Sequence, residues 1–123
     1  MALGVAACGG DPTKQAPTGG DSKAITIGSA AFPESEIIAE IYAAALESEG
    51  VRVEKKLNIG AREVYIPALE NGEIDLIPEY TGNLLTYFDA KATATAPDDV
   101  AAGLSDAVPD GLTVLEPAPA EDK

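Results

Sequence analysis

The sequence predicts an α/β domain with a central, mostly parallel sheet flanked by helices, and three observations predict it. Short apolar runs alternate with longer stretches of helical periodicity, the order of strand-helix-strand units rather than of hairpins. Glycine and proline punctuate the segments: Pro33 opens a helical stretch, Gly50 and Gly72 follow helical stretches, and Gly60 ends a strand. A length of 123 residues with 46% hydrophobic content gives room for one domain and one modest core.

Charge and residue usage exclude several function classes. The formal net charge of -13, from 21 acidic against 8 basic residues, leaves no basic stripe to meet nucleic-acid phosphates or an anionic membrane. With no histidine and a single cysteine, the usual zinc and Cys-His catalytic sets cannot be assembled, and no disulfide can form within the chain. No cofactor is implied. No stretch approaches the roughly 20 apolar residues that a membrane-spanning helix needs.

The start of the chain carries its own signal. Residues 1–8 are short, apolar and end in Val5-Ala6-Ala7-Cys8, and residues 9–23 form a Gly/Pro/Thr-rich run. This resembles a truncated bacterial lipoprotein signal followed by a flexible tether. In such a motif the small residues fit the signal peptidase, and Cys8 becomes the lipidated first residue of the mature protein. The alternative is a small residue in a loose tail.

From Ala24 the pattern is regular. Ile25, Ile27 and their neighbours alternate as a strand, and Pro33, Glu34 and Glu36 suit the first turn of a helix. Ile37, Ile38, Ile41, Tyr42, Ala45 and Leu46 recur at helical spacing opposite Glu36, Glu40 and Glu47, which predicts an amphipathic helix with Tyr42 in the core. Residues 51–59 alternate imperfectly as a second strand. Residues 62–71 show helical spacing in Val64, Tyr65, Ala68 and Leu69, with Pro67 either kinking the helix or marking its first turn. A third strand follows at Ile74-Asp75-Leu76-Ile77, with Asp75 facing away from Ile74 and Leu76. Pro78 stops it. A short helix is expected over residues 81–88, then a polar loop. Pro97 opens a further helix with Val100, Leu104 and Val108 on one face, and a last strand is expected at Leu112-Thr113-Val114-Leu115.

The order of these segments carries a resemblance. Ile27-Gly28-Ser29 with Phe32 and Glu34, Arg62-Glu63, Pro67-Ala68-Leu69, Gly72-Glu73-Ile74-Asp75-Leu76, Glu79-Tyr80-Thr81-Gly82 and Leu112-Thr113-Val114-Leu115 stand in family order. Together they resemble the osmoprotectant-binding proteins of ABC importers, the glycine betaine, choline and carnitine group. The resemblance implies a type II periplasmic-binding-protein-like fold of two lobes. Residues 24–115 would be the first lobe, and residues 116–123 the start of the crossing to a second. It further implies a non-enzymatic, extracytoplasmic protein held to the outer face of the membrane through Cys8, with permease subunits as partners.

The resemblance also implies a site. A quaternary ammonium donates no hydrogen bond, so electron-rich aromatic faces must hold it. Tyr80 matches the family's aromatic wall, Asn83 the polar residue that meets the ligand carboxylate, and Thr81, Gly82, Ser29 and Phe32 complete the ligand-binding set. Several relatives carry a basic residue where this chain has Ala30 and Ala31, which leaves choline-like ligands open. Each residue also has a structural reading: Tyr80 could fix a strand end, Asn83 could cap a helix, Phe32 could plug the space beside Pro33, and Arg62 and Glu63 could make surface or interlobe contacts. Two other functions are compatible with the residues. One is a carboxylate-based hydrolase using a pair such as Glu34 and Glu79. The other is a truncated interaction module that binds no ligand.

Overall fold

The computed structural model describes residues 23–119. Cys8 and the expected tether up to residue 22 lie outside the described residues, as does the chain from residue 120. In order come β1 (Ile25–Gly28), α1 (Pro33–Ser48), β2 (Val53–Lys56), α2 (Arg62–Glu70), α3 (Thr81–Phe88) and α4 (Pro97–Ala107). The arrangement is α/β, with a small parallel sheet and helices.

β1 and β2 pair in parallel, with Ile25 opposite Val53 and Gly28 opposite Lys56, and α1 is the crossover that a parallel pair requires. On the other edge of β1, the expected third strand is reduced to one parallel bridge between Ile27 and Leu76. A side chain accounts for the shortness. Asp75 Oδ2 accepts the Thr26 N–H at 2.9 Å, taking a donor that a longer ladder would have used. Leu76 still accepts the Gly28 N–H at 2.9 Å and donates to the Thr26 carbonyl at 3.2 Å. β1 is therefore central, and the three parallel segments end at the same edge.

Two apolar clusters lie against this sheet. Ile27, Ala39 and Ala43 form one, joined by Ile25, Leu46, Val53, Leu57 and Leu76. The larger gathers Ala30, Tyr65, Ile66, Ile74, Leu84, Leu85, Val100 and Leu104 from the segments that follow. Ile74 and Leu76 thus belong to different clusters, contrary to the alternation expected for a regular strand. Gly28 permits the close approach on the second face, where an added Cβ would lie 2.9 Å from Ile74 Cδ1 and 3.0 Å from Ile59 Cδ1. Gly103 does the same for α3 and α4, since its missing Cβ would sit 3.4 Å from Leu85.

α1 is rotated relative to the sequence expectation. It buries Ser35, Ala39 and Ala43 and leaves Ile37 60%, Ile41 59% and Tyr42 40% exposed. Two stripes at helical spacing compete here, one of small residues and one of large. The small one wins because Ile25, Ile27, Val53 and Leu57 already fill the space over the sheet, and alanines let the helix come close. Tyr42 is therefore a surface residue and not a core one. Val64 is likewise exposed, and Ile66 takes its place in the core.

The remaining boundaries follow local chemistry. α2 continues through Pro67, which lies inside the helix rather than in its first turn. Gly50 and Gly72, at φ 88° and 84°, lie just past the ends of α1 and α2. Residues 112–115 form no strand. Leu112 donates back to the Pro109 carbonyl in a turn, and Val114 packs on the larger cluster while Leu115 is exposed. Among the described residues, no helix is long and apolar enough to cross a membrane.

The rotation of α1 can be tested by substitution. Ala43→Leu is expected to destabilise the fold by about 1–3 kcal/mol through overpacking, while Ile41→Ser is expected to stay within about 0.5 kcal/mol. Urea unfolding followed by circular dichroism checks both, and the opposite ranking would mean that α1 presents its large residues to the sheet.

Candidate functional site

Three connections meet where the parallel segments end. The first runs from Ser29 to Phe32, between β1 and α1. Ser29 is fully buried; its hydroxyl donates to the Ala30 carbonyl and accepts the Asn58 N–H at 2.7 Å. Ala30 N–H donates to Ser35 Oγ at 2.9 Å, which pins the loop to the first turn of α1. The hydroxyl of Ser29 thus holds two loops together and is not presented at the edge. Phe32 is 43% exposed and precedes α1 as its N-cap residue, without a side-chain capping bond.

The second connection follows β2. Ile59 N–H donates to the Ser29 carbonyl and Ala31 N–H to the Gly60 carbonyl, so the two loops lie side by side. Asn58 supplies a turn at φ 58°, a left-handed conformation that asparagine tolerates better than most residues.

The third connection runs from Ile77 to Tyr80. Pro78 is buried, and Glu79 is the centre of a hydrogen-bond cluster. Arg62 Nε donates to Glu79 Oε2 and Arg62 Nη2 to Oε1, both at 2.7 Å, a two-pronged pairing that matches the shapes of guanidinium and carboxylate. The Tyr65 hydroxyl donates to Oε2, and the Tyr80 N–H donates to Oε1 at 3.0 Å. The side chains of Glu79 and Arg62 are only 10% and 27% exposed, so the pair is largely shielded from solvent. Burial, followed by the hydrogen bond to Glu79 and its charge, raises the Tyr65 phenol well above its usual range.

Tyr80, partly exposed, is the N-cap residue of α3, and Thr81, Gly82 and Asn83 make its first turn. The other helices carry acids in their first turns: Glu34 and Glu36 in α1, Glu63 in α2, and Asp98 and Asp99 in α4. α3 has none; the carboxylate nearest its start is that of Glu79, which accepts the Tyr80 N–H and is paired with Arg62.

Of the six expected ligand residues, Ser29 and Phe32 fall on the first connection, Tyr80 ends the third, and Thr81, Gly82 and Asn83 follow in the first turn of α3. Phe32 and Tyr80 are accessible, Thr81, Gly82 and Asn83 stand at a helix start, and Ser29 is enclosed. The sequence assigns Arg62 surface or interlobe contacts and Tyr65 only a place in the helical pattern, and neither is expected to meet Glu79. Their spacing of three on one helix face, opposite an acid at an apolar strand end, was the available signal. A separate cleft of about 440 Å³ lies at the far end of α3, lined by Leu85, Asp89, Thr93, Gly103 and Asp106 among others. It holds no aromatic ring and none of the expected residues. Among the described residues, no cluster of three or more His, Cys, Asp or Glu is placed to hold a metal.

Comparison with known proteins bears on this edge. The family described as "Substrate binding domain of ABC-type glycine betaine transport system" matches residues 23–123. The chain belongs to this family. A curated relative is the glycine betaine-binding protein YehZ of Escherichia coli (strain K12), 36% identical over 64 residues. The match covers 52% of this chain and 21% of that protein, so the chain aligns with a minor part of its relative. The family is one of substrate-binding domains rather than of enzymes. In this chain one acid of the supposed hydrolytic pair, Glu79, has its carboxylate engaged by Arg62, Tyr65 and Tyr80.

The raised phenol of Tyr65 sets a pH dependence. Its proton is held more tightly in the folded than in the unfolded state, so the stability it contributes is complete below the ordinary tyrosine value of 10.0 and is lost as pH rises beyond it. Unfolding midpoints are expected to be insensitive to this group up to about pH 10 and to fall above it. Tyr65→Phe is expected to flatten that alkaline fall, as measured by urea titrations across the range.

Proposed function

We propose that this chain is part of the extracytoplasmic receptor of an ABC importer for quaternary-ammonium osmoprotectants, and that Tyr80 is one wall of its ligand cage. The observation that carries the reading is the placement of Tyr80. A partly exposed aromatic ring stands at the carboxyl end of the parallel segments, immediately before the one described helix whose first turn holds no acid. In open α/β sheets ligands bind at this edge. The ring offers its face to the methylated cation, while the start of α3, with Thr81, Gly82 and Asn83, offers donors and a positive dipole end to a carboxylate. Phe32 is the second accessible aromatic candidate, on the connection after β1, and Ser29 ties that connection to the loop after β2. A zwitterion such as glycine betaine carries both groups; choline and carnitine are the neighbouring possibilities.

In this reading residues 24–115 are the first lobe of a type II periplasmic-binding-protein-like fold, and residues 116–123 lead towards a second. Residues 1–8 and 9–23 are the lipidation signal and tether, and Cys8 is the anchor to the outer face of the membrane. The partners are the small-molecule ligand and the permease subunits of the importer. The family match over residues 23–123 and the relative's name support the substrate-binding part of this reading.

Isothermal calorimetry with glycine betaine, choline and carnitine tests it. The chain alone is expected to bind more weakly than micromolar, because a cation cage needs several aromatic walls. Tyr80→Ala is expected to lose roughly 0.5–2 kcal/mol of what remains, a two- to thirty-fold change. Betaine affinity unchanged in Tyr80→Ala would overturn the assignment of the cage.

A further inference from the structure

We infer that Glu79, gripped by Arg62 and Tyr65, is the positioning residue for Tyr80, and that α2 thereby sets the orientation of the ligand-facing ring. The inference rests on the reading of Tyr80 as a ligand wall and adds the residues that hold it.

The argument begins with what does not hold this segment. Leu76 is tied to β1 through its backbone, and Leu84 N–H donates to the Tyr80 carbonyl as α3 begins. Between them, residues 77–79 make no backbone-backbone hydrogen bond among those described. Ile77 packs on the larger cluster and Pro78 is buried, but neither fixes the direction in which the chain leaves towards Tyr80. The carboxylate of Glu79 does. One oxygen, Oε1, takes both the Tyr80 N–H and an Arg62 prong; the other, Oε2, takes the second prong and the Tyr65 hydroxyl.

The geometry is selective for these residue types. Arg62 is the first residue of α2, where a positive charge opposes the helix dipole, so its placement is explained by its partner and not by the helix. Tyr65 lies three residues on, on the same face, and is 3% exposed. Its position is therefore set by the core. The core places Tyr65, Tyr65 and Arg62 place Glu79, and Glu79 places the backbone of Tyr80. A lysine at 62 would keep the charge but lose the fork. A glutamine at 79 would keep an acceptor for Tyr80 but lose the charge that draws Arg62.

The test reads Tyr80 directly. Nuclear magnetic resonance of the chain, with tyrosine rings labelled, follows the Tyr80 amide and ring signals in the parent protein, in Glu79→Gln and in Tyr65→Phe. Each sample is also titrated with glycine betaine into the millimolar range, with Tyr80→Ala alongside. In both variants the Tyr80 amide is expected to move and exchange faster and its ring signals to broaden, while signals from β1, β2 and α1 stay in place. Betaine binding should weaken roughly ten-fold in Glu79→Gln and less in Tyr65→Phe, which keeps the buried ring. A purely structural role would lower the unfolding temperature and leave the Tyr80 ring signals of the folded protein unchanged; that result overturns the inference. If Glu79→Gln fails to fold, Tyr65→Phe decides on the same signals. Betaine binding that persists in Tyr80→Ala would refute the cage reading, while the ligand-free Tyr80 signals would still judge whether Glu79 positions it.

Discussion

A carboxylate largely shielded from water must be met by donors, and meeting Glu79 organises one edge of this protein. Arg62 and Tyr65 come from α2, and Tyr80 N–H from the start of α3. Leaving such a group without its charged partner costs about 3–5 kcal/mol, a large fraction of the stability of a small domain. The cluster therefore constrains the chain as firmly as a stretch of sheet would. This matters because the sheet itself is thin: two strands of four residues and one bridge. The apolar clusters supply cohesion, and the charged cluster supplies direction.

The same logic explains the weak third strand. Asp75 bonds the Thr26 N–H through its side chain, so β1 is satisfied there without a longer ladder. The chain is then free to turn, sending Ile74 to one cluster and Leu76 to the other. Two acids four positions apart thus do related work: Asp75 ends the strand pairing, and Glu79 fixes where the chain goes next.

Much of the fold was legible in the sequence because its signals were local. Pro33, Pro97 and the acids after them mark helix starts that the structure reproduces, and the short helix over Thr81–Phe88 falls where its pattern placed it. What failed depended on partners distant in sequence. The strand expected at residues 112–115 has the right composition, but among the described residues nothing pairs with it. The buried face of α1 could not be read from periodicity, since Ser35, Ala39 and Ala43 repeat as regularly as the isoleucines. At the candidate site, Tyr80 stood out by its place after a strand, while the roles of Arg62 and Tyr65 needed the third dimension, because their partner is 17 and 14 residues away.

The acid-free first turn of α3 has an electrostatic consequence for a chain of net charge -13. Such a protein repels anions from most of its surface, and the repulsion weakens as salt is added. A zwitterion carries no net charge and is neither drawn in nor driven off at long range. It feels the field only as a dipole, at close quarters, turning its methylated end towards acid-rich surface and its carboxylate towards the start of α3, where the first turn holds no acid and Glu79 is neutralised by Arg62. For the ligand class proposed above, capture would depend little on ionic strength.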